Sequence, residues 1–313
     1  MVTACSSGYD RPQTQLRLSD VSPLDESSCI GRGASSRVVL ARHLGTGRIV
    51  AVKQVERARI GDPKLILNEK SILMSLYHPC IIQLLGTDKD SKYLYFIFEY
   101  CLNGSMTKQI ELKVAGFQLD RLRIWIYQIL LGLRYLHIEH HIIHGDIKPA
   151  NMLVNQTWNI KIADFGFARN ITDLNRDNDE FGTRIYWAPE QIQKFHEKRD
   201  VQLCEKIDIW AFGITLYQIA FNDHPFRAAT DLEVARRAVN DEIKFPNGAD
   251  PDLVHLLEAA LIKSSKDRYD VEQLLQMPFL AGLTEDTAFK SGCVVDDDDN
   301  ELDGGAQQLF EAF

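Results

Sequence analysis

Apolar and polar positions are not spread evenly along the chain. Between residues 26 and 56, β-branched runs alternate with glycine-bearing turns. Arg37-Val38-Val39-Leu40-Ala41 and Ile49-Val50-Ala51-Val52-Lys53 are the clearest of these runs, and they predict antiparallel strands. Over 64–73 the spacing becomes helical, and Pro79 blocks further extension. Two more strands are predicted, at 81–85 and 93–99. After Asn103-Gly104-Ser105 the apolar residues recur at helical spacing over 119–137, 207–220 and 252–261. A small β-rich part therefore precedes a larger helical part, joined near 99–104. Residues 1–22 are polar and read as a flexible segment. From 283 the chain turns polar again, passes through Asp296-Asp297-Asp298-Asp299, and ends in Leu309-Phe310-Glu311-Ala312-Phe313. No internal repeat is visible.

Composition narrows the class. The chain has 313 residues, 45% of them apolar, enough for one large domain or two modest ones. A net charge of −9 supplies no global basic field, so nucleic acid is not an expected partner. The six cysteines include no C-x-x-C pair, which argues against a disulfide framework or thiolate metal site and for a reducing compartment. The N-terminus has no apolar signal region, and Gly is absent at position 2, against myristoylation. Cys5 reads as an ordinary free thiol, with palmitoylation the alternative. The longest apolar run, 210–221, holds Gln218 and is too short to span a bilayer. The expectation is a cytoplasmic protein with no stable membrane insertion.

Five stretches carry chemistry. Gly31-Arg32-Gly33-Ala34-Ser35-Ser36 lies between strands, where glycines let the backbone approach phosphates; a plain hairpin turn is the alternative. Lys53 ends an apolar strand and needs an anionic partner if it points inward. Glu69 on the following helix is the natural acid, and a surface lysine on an edge strand is the alternative. His144-Gly145-Asp146-Ile147-Lys148-Pro149-Ala150-Asn151 puts a carboxylate, a cation and a neutral oxygen ligand on one loop. That set suits a general base, a phosphoryl contact and a Mg²⁺ ligand, against a mere polar turn. Asp164-Phe165-Gly166 places a carboxylate just after a predicted strand, where it could hold a hard cation, although the tripeptide is common by chance. In Gly182-Thr183-Arg184-Ile185-Tyr186-Trp187-Ala188-Pro189-Glu190, Glu190 is set for a structural ion pair, with Arg268 as candidate partner.

In order and spacing these residues resemble the eukaryotic protein kinase signature set, over roughly residues 25–282. The resemblance implies a two-lobed α+β fold, with a small antiparallel β-sheet lobe carrying one helix and a larger, mainly helical lobe. The domain would span 23–282, divided at 100/101, with a flexible 1–22 before it and an acidic tail, 283–313, after it. ATP and Mg²⁺ are the implied cofactors and proteins the implied substrates. Carried over residue by residue, Lys53 pairs the α- and β-phosphates and Glu69. Asp146 accepts the substrate proton, Lys148 contacts the γ-phosphate, and Asn151 and Asp164 hold Mg²⁺. Thr183 orients Asp146 and Lys148, and Asp208 braces the loop. Ile30, Gly31, Gly33, Val38, Ala51, Phe98, Glu99, Cys101 and Leu153 line the nucleotide, with Phe98 as gatekeeper and Glu99-Tyr100-Cys101 as hinge. Lys148 between Asp146 and Asn151 resembles the serine/threonine class.

Leu67-Asn68-Glu69-Lys70, Asp164-Phe165-Gly166-Phe167-Ala168 and Phe310-Glu311-Ala312-Phe313 resemble the AGC group, to which cAMP-dependent kinase belongs. For the last stretch, docking of Phe310 and Phe313 in cis on the small lobe is implied, with a frayed tail as the alternative.

Four departures set expectations of their own. Gly145 stands where most regulated kinases have Arg, and Asp179 lies about where a phosphoacceptor would be, so activity independent of activation-segment phosphorylation is expected. Ser105, Ala150 and Gln218 replace the acidic positions that read upstream arginines in cAMP-dependent kinase. Phe167 mildly favours serine over threonine as acceptor. The segment 191–207 is longer than in similar kinases and reads as a solvated charged loop or a docking loop. The competing functions are a pseudokinase scaffold, disfavoured by the complete catalytic set, and a small-molecule phosphotransferase. The second shares His-Gly-Asp and the later Asn but lacks Lys148-Pro149 and the Gly182–Glu190 stretch.

Overall fold

The structure, a computed structural model, describes residues 15–24, 28–33, 35–60, 62–112, 119–175 and 180–290. Asp179, Asp296–Asp299, Phe310, Phe313, Cys5 and Cys293 lie outside the described residues. The chain divides into two compact units: one takes the described residues of 1–61, 83–100 and 284–313, the other 62–82 and 101–283.

The first unit is built on strands β1 (Val21–Pro23), β2 (Cys29–Arg32), β3 (Ser36–His43) and β4 (Ile49–Glu56), followed after a helix by β5 (Leu84–Lys89) and β6 (Tyr93–Glu99). They form one antiparallel sheet in the order β1-β3-β4-β6-β5, with β2 on β3. The period-two alternation of β4 turns Val50 and Val52 to one face, where they pack with Val21, Ala41, Tyr95 and Ile97. Burying one such valine contributes roughly 1.5–3 kcal/mol. Ala51 and Lys53 point to the other face, opposite Phe98 and Phe96 of β6.

Two expectations change here. Residues 15–22 do not form a free lead-in. The Leu16 N–H donates to Leu85 O (2.9 Å), that of Leu18 donates to Asp88 Oδ2 (2.8 Å), and Val21 is buried in the core. A strand at 81–85 is displaced as well. Ile81 makes only an isolated bridge to Ile162, and the strand itself begins at Leu84.

The second unit holds helices α1 (Pro63–Ser75), α2 (Met106–Glu111), α3 (Leu119–Arg134), α4 (Pro189–Phe195), α5 (Lys206–Phe221), α6 (Asp231–Asn240), α7 (Pro251–Ala260) and α8 (Val271–Leu275). Short strands β7 (Ile142–Ile143), β8 (Met152–Val154), β9 (Ile160–Ile162) and β10 (Arg169–Asn170) lie between α3 and α4. Asp62 caps α1 through Lys64 N, and Pro63, lacking a donor, suits the first turn. Buried Glu69, Ile72 and Leu73 share one face of that helix. α3 buries Leu122, Trp125, Ile126, Ile129 and Leu133 at helical spacing, and a single π turn, Tyr135–Glu139, follows it. α5 is apolar all round and correspondingly buried, yet it carries Asp208 in its first turn. No helix among the described residues is long and apolar enough to cross a membrane.

Candidate active site

The loop 144–151 leaves β7 and returns into β8, running through the interior of the larger unit. Its buried amides need partners, because an unpaired interior N–H costs as much as a lost hydrogen bond. Asp208 supplies them: Oδ2 accepts from His144 N (2.7 Å) and Oδ1 from Gly145 N (2.9 Å). His137 Nε2 donates to Oδ2 (2.9 Å). Burial pushes the Asp208 carboxyl up, but the His137 hydrogen bond, the fields of His137 and His144 and the His144 amide outweigh it and hold the carboxyl below its ordinary value. The Asp146 N–H donates to His144 Nδ1 (3.3 Å). The network therefore assigns the ring proton to Nε2, which donates to Ala163 O (3.0 Å).

Asp146, 5% exposed, is gripped on both oxygens. Oδ1 accepts from the Thr183 N–H (2.9 Å) and the Thr183 hydroxyl (2.7 Å). Oδ2 accepts from Asn151 Nδ2 (3.0 Å) and Lys148 Nζ (2.7 Å). Lys148 Nζ also donates to Thr183 Oγ1 (2.8 Å). Four donors fill the lone-pair sites of the carboxylate, while an ammonium with three N–H groups has used two.

Asn151 Nδ2 donates a second bond, to Asp146 O (2.9 Å). With the amide nitrogen so engaged, the amide oxygen is the Asn151 atom chemically suited to a cation. Asp164 is exposed and adopts φ +63°, a left-handed backbone uncommon for a residue with a side chain. The fully buried Phe165 beside it, edge-on to His144 (centroids 4.9 Å), holds this conformation in place. One amide oxygen and one carboxylate are hard oxygen donors, which fits Mg²⁺ with its remaining ligands from water and phosphate.

The other expected residues are placed within their own units. Lys53 lies on β4 opposite Val38 and Phe96. Glu69 lies on α1 and is 3% exposed. Ile30, Gly31, Gly33 and Val38 belong to the β2–β3 hairpin, where Gly33 N donates to Ser36 O (2.7 Å). The described residues of the glycine stretch thus lie where β2 meets β3, on the same sheet as Lys53. Ala51 faces Phe98 in the β4–β6 register, and Glu99 Oε1 accepts from Gln83 N (2.8 Å). Cys101 is buried and Leu153 half-buried in the larger unit.

Thr183 is reached through Gly182, at φ +78°. Glu190 and Arg268 form the expected pair, at 2.6 and 2.9 Å and both buried. Gln218 Oε1 accepts from the Tyr186 hydroxyl (2.8 Å), Ser105 caps α2 through Lys108 N, and Ala150 is exposed. Two features escape a reading of motifs. Phe181 is buried under Arg169, whose guanidinium carbon stands 4.1 Å from the ring centroid. Asn175 exchanges two hydrogen bonds with the backbone of Leu203, both at 2.8 Å. The run of charge at 194–199 hid the buried Leu203 that follows it.

Residues 24–280 match the family model described as protein kinase domain. The human "3-phosphoinositide-dependent protein kinase 1" is 31% identical over 277 residues, which cover 87% of this chain and 48% of that protein. A "cAMP-dependent protein kinase, catalytic subunit-like" of Caenorhabditis elegans is 33% identical over 243 residues, 76% of this chain and 58% of that protein. "Serine/threonine-protein kinase PLK4" of Xenopus tropicalis is 31% identical over 291 residues, 91% of this chain and 29% of that protein. The chain spans about half the length of the first of these.

Proposed function

The chain belongs to the protein kinase family, and from that premise we propose that it is a serine/threonine protein kinase. It passes the γ-phosphoryl group of ATP to hydroxyls of protein substrates, with no phosphate required on its own activation segment. The observation that carries this reading is the grip on Asp146 by Thr183, Asn151 and Lys148.

The incoming hydroxyl needs a lone pair on Asp146, and all four sites are taken at rest. Lys148 is the partner able to move, because its third N–H is directed by nothing in the loop and its side chain is 23% exposed. As it swings to the γ-phosphoryl oxygens, Oδ2 opens to the hydroxyl. The hydroxyl oxygen bonds phosphorus, the bond to the β-phosphate oxygen breaks, ADP leaves, and the hydroxyl proton passes to Asp146. Mg²⁺, held by Asn151 and Asp164, would neutralise charge on the phosphates. Lys53 with Glu69 would orient the α- and β-phosphates. Ile30, Gly31, Gly33, Val38, Ala51, Phe98, Glu99, Cys101 and Leu153 would enclose the nucleotide.

Independence from activation-segment phosphorylation rests on Gly145, which offers no guanidinium to a phosphate. We assign the work to the cytoplasm because the six cysteines include no C-x-x-C pair and Cys29 and Cys204 are thiols rather than disulfide halves.

The test is Mg-ATP-dependent transfer to a protein or peptide by wild type and Asp164→Asn, before and after phosphatase treatment. Transfer that requires Asp164 and survives dephosphorylation supports the reading. Equal signals from wild type and Asp164→Asn would return the chain to a scaffold role. Loss on dephosphorylation, with a mapped site between Thr172 and Thr183, would end the phosphate-independent part.

A further inference from the structure

Phe181 packs against both Gly145 and Arg169. A Cβ built on Gly145 would stand 3.3 Å from Phe181 Cδ2 and 3.0 Å from Phe167 O, so the Phe181 ring occupies the space a side chain at 145 would use. The Arg169 guanidinium carbon stands over the ring, 4.1 Å from its centroid. Phe181 is 2% exposed. It packs edge-on against Phe195 (5.8 Å), which meets Trp187 (5.4 Å). The Trp187 indole N–H donates to Phe181 O (2.8 Å), so backbone and ring are both held. Two residues on, Thr183 makes its two bonds to Asp146.

A second anchor lies upstream. Asn175 Nδ2 donates to Leu203 O and Leu203 N–H donates to Asn175 Oδ1, each at 2.8 Å. Lys194 Nζ adds contacts to Asn175 Oδ1 and Val201 O, each at 3.4 Å. Leu174 and Leu203 are buried. The 191–207 segment thus grips residue 175, four positions before the expected acceptor position 179.

We propose that Phe181, packed against Gly145 and covered by the Arg169 guanidinium, is the positioning residue that sets Thr183 on Asp146 in place of a phosphate, and that the Asn175–Leu203 pair is its upstream counterpart. A phosphate clamp draws a guanidinium onto an anion; here an aromatic face attracts the guanidinium by its quadrupole and is present constitutively. An ordinary core position would accept any apolar side chain of similar volume, whereas this one needs a ring.

The inference rests on the proposed kinase activity, so its test has an arm that does not depend on catalysis. Phe181→Leu, Phe181→Tyr and Asn175→Ala are compared with wild type, all dephosphorylated. The readouts are kcat and KM for ATP and peptide, thermal midpoint, and amide hydrogen exchange at Thr183. Phe181→Leu is expected to lower kcat and speed Thr183 exchange by about tenfold each, with KM for ATP unchanged. Phe181→Tyr keeps wild-type behaviour, and Asn175→Ala shifts exchange in the same direction by less. The proposal is overturned if Leu and Tyr act alike, or if Thr183 exchange is unmoved by Phe181→Leu. A wild type inactive toward every acceptor would count against the kinase reading alone, because exchange at Thr183 still decides the role of Phe181.

Discussion

Gly182 passes so close to Gly145 that a Cβ at 182 would overlap the Gly145 carbonyl oxygen. Gly182 also holds φ +78°, a region that costs residues with side chains about 1–2 kcal/mol. Alanine there has to push the segment off the catalytic loop and take Thr183 away from Asp146. Gly182→Ala is expected to destabilise the protein by about 1–3 kcal/mol. It should lower kcat by about a hundredfold or more, since displacements near 1 Å carry penalties of that size. Chemical denaturation and steady-state kinetics on one preparation check both numbers.

Thr183 gives its hydroxyl proton to Asp146 and its oxygen lone pair to Lys148. Thr183→Ala keeps the backbone bond and loses both side-chain links. Hydrogen bonds to charged groups contribute about 1.5–3 kcal/mol. The expected fall in kcat is therefore roughly tenfold to a hundredfold, and Thr183→Ser should restore most of it. A variant series in which Ser is as poor as Ala would contradict the hydroxyl's role.

The guanidinium of Arg268 uses all five N–H groups: two on Glu190, and one each on the carbonyls of Ile262, Lys206 and Lys263. Arg268→Leu strands a buried carboxylate and should cost about 3–5 kcal/mol in urea unfolding. Adding Glu190→Leu removes the stranded charge but leaves three carbonyls unpaired. The double variant should recover only part of the loss. Full recovery would mean that those carbonyl bonds contribute little.

Burial, with help from Arg134, Lys161 and His140, pushes the His78 imidazole down to about 4. Its ring stacks on Tyr135 (4.7 Å), and Nδ1 accepts from the Cys80 N–H (3.1 Å), which requires an unprotonated nitrogen. Between the unfolded value near 6.5 and the folded value the unfolded chain binds the extra proton, so stability falls as pH falls through that window. The expected loss is about 1.4 kcal/mol by pH 5.5 and about 2.5 kcal/mol by pH 4.5, levelling off below 4. His78→Phe keeps the stacking and lacks the titration. Its urea midpoint should lose correspondingly less between pH 7 and 4.5.

Much of the catalytic loop was legible because its chemistry is local. Asp146, Lys148 and Asn151 lie within six residues, and the loop's return into β8 folds them onto one carboxylate. Arg268 was identifiable as the partner of Glu190 because a buried carboxylate demands a cation. What the pattern hid depends on contacts far apart in sequence. The polar composition of 15–22 gave no hint that Leu85 and Asp88 would hold it. The packing of Phe181 against Gly145 and Arg169, and the grip of Leu203 on Asn175, follow from tertiary packing and have no period or spacing to announce them. The strand expected at 81–85 slipped because Ile81 and Ile82 pair with Ile162 in the larger unit, leaving β5 to start later.

The last expectation concerns substrate choice. An arginine upstream of the acceptor gains affinity only where carboxylates replace its water, since an unpaired cation loses hydration without return. The three positions to which the resemblance to cAMP-dependent kinase points for this role, Ser105, Ala150 and Gln218, offer none. Ser105 is engaged in capping α2. Ala150 has no polar side-chain atom, and Gln218 accepts from the Tyr186 hydroxyl. A neutral amide oxygen contributes about half of what a carboxylate does in such a bond. A positional-scanning peptide library should therefore show arginine two or three residues before the acceptor changing kcat/KM by less than about tenfold, the factor expected of one charge-assisted bond. Introducing Gln218→Glu should raise the preference for arginine while releasing Tyr186 from its acceptor only slightly, because the carboxylate can still accept. Arginine dominance in the wild type would mean that acidic groups elsewhere on the chain read the substrate.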